Sequence, residues 1–204
     1  SPSYTPTVLD ENTDVDAATL ALVNESSLLA PRNLPLNSNM KAFMALACKE
    51  NGVKAKVSSG GQPAGGKGHP KRVGSNRHDE AYPGGGGMAA DFQLFDQTSG
   101  KNIPTSDNER WKNWTLSFKK FALAKGYKPS AGAGTNYMSS GGGSAHFDIA
   151  AGINPNINDY PNNPDKKVAR AIWAGIKGTG TIYPWVKNVL GGSPVGNPQL
   201  NVVQ

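Results

Sequence analysis

The chain is poor in several residue types that usually anchor cross-linking or catalysis. It has one cysteine in 204 residues, so no intrachain disulfide can form, and the fold must stand on packing and on any metal it holds. That residue, Cys48, falls in an apolar helical pattern, which points to a buried thiol and sets aside a cysteine-based mechanism. No stretch approaches the roughly 20 apolar residues of a membrane-spanning helix. The opening residues Ser1 to Pro6 lack the basic residue and apolar run of a secretory leader. The expectation is a protein made in the cytoplasm, or one that has already lost a leader, whose route to any outside target is supplied by something else. Histidine is scarce too, with three copies, His69, His78 and His146.

Glycine and proline, by contrast, are plentiful: 25 and 15 residues, close to a fifth of the chain. Long irregular loops follow, and sites tend to sit on such loops. The formal net charge is +6, with the densest basic cluster at Lys67, Lys71, Arg72 and Arg77. A positive surface favours an anionic partner such as nucleic acid, cell-wall polymer or phospholipid headgroups without choosing among them, and a solvated loop of ordinary charge fits equally. The glycine runs at Gly65–Gly68 and Gly84–Gly87 lack the Lys-Ser/Thr helix opening of a phosphate-binding loop, which excludes the usual nucleotide site.

Apolar residues make up 37% of the chain, enough for one core, and a single domain over 14–190 is expected between an extended arm at 1–13 and a tail at 191–204. Asp14 or Asp16 can cap a short helix running through Ala17–Val23 and ending by Pro31. A second helix starts at Asn37 or Ser38, carries Met40, Phe43, Met44 and Ala47 on one face, and stops at Gly52. Val53–Ser58 alternates apolar and polar, as a strand with one buried face does. Further strands are expected at Met88–Phe95 and Ala145–Ala150. A longer helix begins after Ser106, with Asp107 and Glu109 in its first turn and Gly126 past its end. Its residues Trp111, Trp114, Phe118 and Phe121 recur at helical spacing and form a core stripe. The last third reads as a loop over 154–164, a short helix over 165–174 and a helical turn over 184–190. The fold class is therefore α+β, a small antiparallel or mixed sheet flanked by helices.

Chemistry points to the histidines. His78 closes the glycine/basic loop, Asp91 lies on the strand that follows, and His146 lies on the last strand. Two imidazoles and a carboxylate are the donor count of a catalytic zinc site, which keeps a fourth position open. Small neighbours, Gly87, Ala89, Ala90, Ser144 and Ala145, would let backbone and substrate approach closely. A structural role for isolated histidines fits the spacing as well.

Val57-Ser58-Ser59-Gly60, then Gly74-Ser75-Asn76-Arg77-His78, then Gly87-Met88-Ala89-Ala90-Asp91, and finally His146-Phe147-Asp148 together resemble the zinc DD-peptidase/Hedgehog-like group. That group includes DD-carboxypeptidases, D-Ala-D-Ala dipeptidases and phage L-alanyl-D-glutamate endolysins. The resemblance spans about residues 36 to 150. It implies Zn2+ held by His78, Asp91 and His146, and a phage peptidase acting on peptidoglycan stem peptides. Such a product reaches the wall through lysis or as part of a virion, alongside other phage proteins. Two features depart from the pattern. Eight residues, Asp79 to Gly86, separate His78 from Gly87, an insertion that a flexible loop absorbs at a cost of about 1 kcal/mol or less. The Glu or His that relatives place before the third ligand is replaced by Gly141-Gly142-Gly143-Ser144-Ala145, which leaves Asp148 as a partner behind the ligand or as base, and Glu80 and Asp79 as other candidate proton carriers. Arg77 or Arg72 would hold substrate charge, and His69 is expected in solvent. A non-catalytic virion or adsorption protein keeping the fold is the main rival; a basic nucleic-acid binder, supported by charge alone, is the third reading.

Overall fold

The computed structural model describes residues 15–28, 34–63, 78, 86–127, 129–133, 144–149, 183 and 185. Its elements in chain order are α1 (Ala17–Leu20), β1 (Val23–Asn24), α2 (Ser38–Asn51), β2 (Val53–Ser59), β3 (Ala89–Asp96), β4 (Asn102–Ile103), α3 (Asn108–Ala124), β5 (Ser130–Gly132) and β6 (Ala145–Asp148). Among the described residues this is an α+β arrangement, and its sheet is mixed. The strands run in the order β1-β2-β3-β6-β5, with β4 beside β3. β1 is parallel to β2, and the other pairings are antiparallel.

Local chemistry sets the helix ends. The Asn37 side chain accepts from the backbone N–H groups of Asn39 and Met40, and α2 closes on Gly52 at φ 63°, a left-handed stop that glycine adopts freely. The side chain of Asp107 caps α3 by accepting from Arg110 N; it therefore sits just before the first turn, not within it. Asp16 caps α1 through Thr19 N at 2.7 Å, yet that helix lasts four residues. The longer helix expected through Val23 gives way because Val23, β-branched and buried, pairs with Ala55 as an edge strand.

Both long helices cover one face of the sheet. Met40, Phe43 and Met44 of α2 and Trp111, Trp114 and Phe118 of α3 join Val53, Ala55 and Val57 of β2, Phe92 and Leu94 of β3, and Phe147 of β6 in one buried cluster. Phe92 and Phe147 each sit within 5.1 Å of the Trp114 ring, centroid to centroid. Complete burial of such a ring stabilises the fold by on the order of 2–3 kcal/mol. Phe121, at the end of the predicted stripe, is only partly buried, and Lys120 Nζ rests 4.6 Å above its ring. Cys48 is fully buried within this layer, as expected; Trp114 Nε1 donates toward its sulfur at 3.4 Å, and burial pushes the thiol up to about 12.

One anchor comes from far along the chain. Trp185 is buried, stacks on Trp111 at 5.2 Å and on Phe147 at 5.8 Å, and donates from Nε1 to Thr105 O at 2.9 Å. The arm at 1–13, the tail at 191–204, the loop at 154–164 and the helix expected at 165–174 lie outside the described residues, as does the turn at 184–190 apart from Trp185.

Candidate metal centre

Strand alternation separates the core from the chemistry. Phe92 and Phe147 point toward the helices, so their neighbours Asp91, His146 and Asp148 point to the opposite face of the sheet. Asp91 stands directly across from His146 in the β3–β6 pairing, which brings side chains from sequence-distant strands to within contact of each other. On the other side of β3, an irregular step between Val57 and Ser59 sets Ser59 across from Asp91. The sequence alternation of β2 would otherwise leave Ser58 in that row.

His78 arrives from the loop, and three backbone contacts fix it. Its carbonyl accepts from Gln62 N at 2.9 Å and from Gly87 N at 3.3 Å. Its Nδ1 lies 2.8 Å from the Gly60 carbonyl. A carbonyl only accepts, so Nδ1 carries the proton and Nε2 keeps its lone pair for the site. Gly87 in turn holds the loop against α2: its carbonyl accepts from Asn37 N at 3.0 Å, its φ is +76°, and a Cβ there would lie 2.4 Å from Asn37 N. Only glycine fits this approach.

The result is a compact triad. One ligand atom from each of His78, Asp91 and His146 lies within 4.8 Å of the others. His78 Nε2 is 3.5 Å from Asp91 Oδ2, and His146 Nδ1 is 2.8 Å from Asp91 Oδ1. The two imidazoles meet edge-on with centroids 5.2 Å apart. Both histidines are buried, and Asp91 is 17% exposed. The three groups together could bind a metal ion. A tetrahedral ion at ligand distances of about 2.0–2.2 Å draws its ligands to roughly 3.4 Å from one another, so rotations of the order of 1 Å would complete such a sphere.

Asp148 completes the pattern from behind: its Oδ2 lies 3.2 Å from His146 Nε2. With Nδ1 turned to the triad and Nε2 to this carboxylate, His146 has the orientation of a ligating imidazole whose second nitrogen is held by an acid. Without a metal, the same two carboxylates sit on a doubly protonated ring. Burial works against that charge, but the hydrogen bonds to Asp148 and Asp91 outweigh it and raise His146 to about 9. His78 moves the other way. Its burial dominates and holds it below the usual histidine value, so it stays a neutral donor. The site thus carries one imidazolium where a dication would otherwise balance the acids.

Ser59 adds a further mark of a ligand site. It is buried to 1% exposure and its hydroxyl has no partner among the described residues, which costs roughly 1–3 kcal/mol unless a further group satisfies it. Its register sets it on β2 directly across from Asp91.

Neither a family model, nor a curated protein, nor a solved structure matches this chain. The site therefore rests on its own geometry. That geometry unites the three ligands expected from sequence and adds Ser59, whose part could not be read without the irregular step in β2. Arg72, Arg77, Asp79, Glu80 and His69 lie outside the described residues.

Proposed function

We propose that this chain is a zinc-dependent peptidase-like protein of a phage, with a DD-peptidase/Hedgehog-like fold, acting on peptidoglycan stem peptides. The observation that carries the reading is the triad His78, Asp91 and His146 within 4.8 Å, with His78 locked as an Nε2 donor by Gly60. Two imidazoles and a carboxylate suit zinc better than calcium or magnesium, which take oxygen ligands. When bound, zinc supplies Lewis-acid activation of water and of the scissile carbonyl. The protein's own groups do the rest. Asp148 holds His146 in the tautomer that presents Nδ1; Ser59 offers a hydroxyl to the group being activated; Glu80 is the candidate proton carrier, and Arg77 the candidate for substrate charge.

A second reading has an observation in its favour. Among the described residues, the carboxylate next to the triad is Asp148, which is buried and engaged with His146, and so is poorly placed to carry a proton to a leaving amine. A non-catalytic virion or adsorption protein that keeps the metal site fits that arrangement. Zinc content measured alongside digestion of purified peptidoglycan separates them: zinc with released peptides supports the hydrolase, zinc without release supports the structural protein. Failure of wild-type protein to bind zinc, with binding equally absent in His78→Ala, would remove both.

A further inference from the structure

The face of the sheet that carries Asp91 and His146 continues as a row of polar side chains toward the edge. Lys56 stands across from Gln93 and Lys54 across from Phe95, and β1 sets Asn24 beside Lys56. All share the Asp91 face, since side chains two apart on a strand point the same way. At about 3.3 Å per residue, Lys56 and Lys54 lie roughly 7 Å and 13 Å from Asp91 along the strand.

A cleft of about 630 Å³ opens at this end, lined by Leu22, Asn24, Lys41, Lys54, Lys56 and Phe95, a volume usual for a ligand site. Glu25 also lines it but is neutralised by Lys41 at 2.7 Å. Lys54 and Lys56 are exposed, and among the described residues neither has an ion-pair partner. Guarding an edge against aggregation is a weak reason for them, because β1 already covers β2 there. Two uncompensated ammonium groups beside the half-buried ring of Phe95 make a surface for an anion with some apolar bulk.

We propose that this row is a binding track for an extended acidic peptide. Carboxylates at alternate residues of an extended chain repeat at about 7 Å, the spacing of Lys56 and Lys54, and such a chain continues directly onto His78, Asp91 and His146. What happens at that end rests on the peptidase reading; the binding itself does not.

The test uses full-length protein treated with EDTA and a fluorescein-labelled alternating Glu-Ser hexapeptide, read by fluorescence anisotropy. Alternating Lys-Ser and Gly-Ser hexapeptides and a short DNA duplex serve as comparisons. The acidic peptide should bind and the other two peptides should not. Lys54→Gln/Lys56→Gln should weaken it roughly tenfold, as two exposed charge pairs would, while Lys49→Gln/Lys112→Gln, which removes equal charge from the helices, should leave it within about twofold. Absence of binding, equal losses in both double variants, or duplex binding with the same dependence on Lys54 and Lys56 would overturn the track. Zinc titration of wild type and of Lys54→Gln/Lys56→Gln runs in parallel. If zinc fails to bind yet the peptide still depends on the two lysines, the peptidase reading falls and the track stands.

Discussion

Asp148 lies 3.2 Å from Nε2 of His146, the ring nitrogen turned away from Asp91. Replacing it by Asn keeps size and an acceptor but removes the charge that raises the basicity of the ring. On the zinc reading proposed above, Asp148→Asn is expected to lower zinc affinity by about 10- to 100-fold, measured by competition with a chelating dye, with the melting temperature of the metal-free protein read alongside to separate site from fold. Unchanged affinity would show that the contact is structural only.

The histidines also predict an acidity profile for the zinc-free protein. His146 is raised to about 9 from an ordinary 6.5, so its contribution to stability is complete below 6.5 and disappears as pH climbs through 9. His78 is lowered, so below 6.5 the unfolded chain takes up a proton that the folded site refuses, and stability falls with acid. The melting temperature should therefore peak near pH 6.5 and drop on both sides. A melting temperature that climbs steadily from pH 6.5 to 9 would contradict the bridged imidazolium. Zinc affinity should strengthen over that same interval, because binding at Nδ1 displaces a proton.

At the scale of elements, the decisive joint is the one that brings the start of β3 against the cap of α2. Gly87 takes φ +76°, with backbone atoms of Pro35, Leu36 and Asn37 filling the space that a Cβ would need. Gly87→Ala is expected to destabilise the fold by about 1–3 kcal/mol and to weaken zinc binding as well, since Gly87 N donates to His78 O. Chemical denaturation and a zinc titration on the same variant check both. An alanine variant as stable as wild type would mean that α2 can move aside.

Elements with a full period were legible in the residues: α2 and α3 from their apolar stripes, β2 and β3 from alternation and β-branched or aromatic content. β1, β4 and β5 were not, because two or three residues are too few to carry a period, and they exist only through pairing with longer strands. The three members of the triad could be named from scarcity and order, but the nitrogen each ring turns toward it could not. That depends on which acceptor stands behind the ring: Gly60 O for His78, brought together by segments outside the strands, and for His146 the Asp148 carboxylate two residues along the same strand, the one partner that alternation did suggest. The sheet order likewise depends on contacts across more than 50 positions, such as Asp91 with His146.

For the molecule as a whole, the core of α2, α3 and the sheet is closed by a residue from beyond position 180. Trp185 caps the stacked rings of Trp111 and Phe147. Trp185→Ala should cost about 3–5 kcal/mol and lower the thermal midpoint measured by near-UV circular dichroism. A change of less than 1 kcal/mol would show that this contact adds little to the packed layer. Truncation ahead of Tyr183, which is also buried, should be at least as damaging. No helix among the described residues is long and apolar enough to cross a membrane.

Strand β6 is only four residues long, and its successive side chains serve opposite masters: His146 and Asp148 face the triad, while Phe147 is wedged among tryptophans. A rigid backbone so short transmits a push on one face as a tilt on the other. Enlarging or shrinking a ring beside Phe147 would therefore be felt across the sheet as a shift of His146 against Asp91.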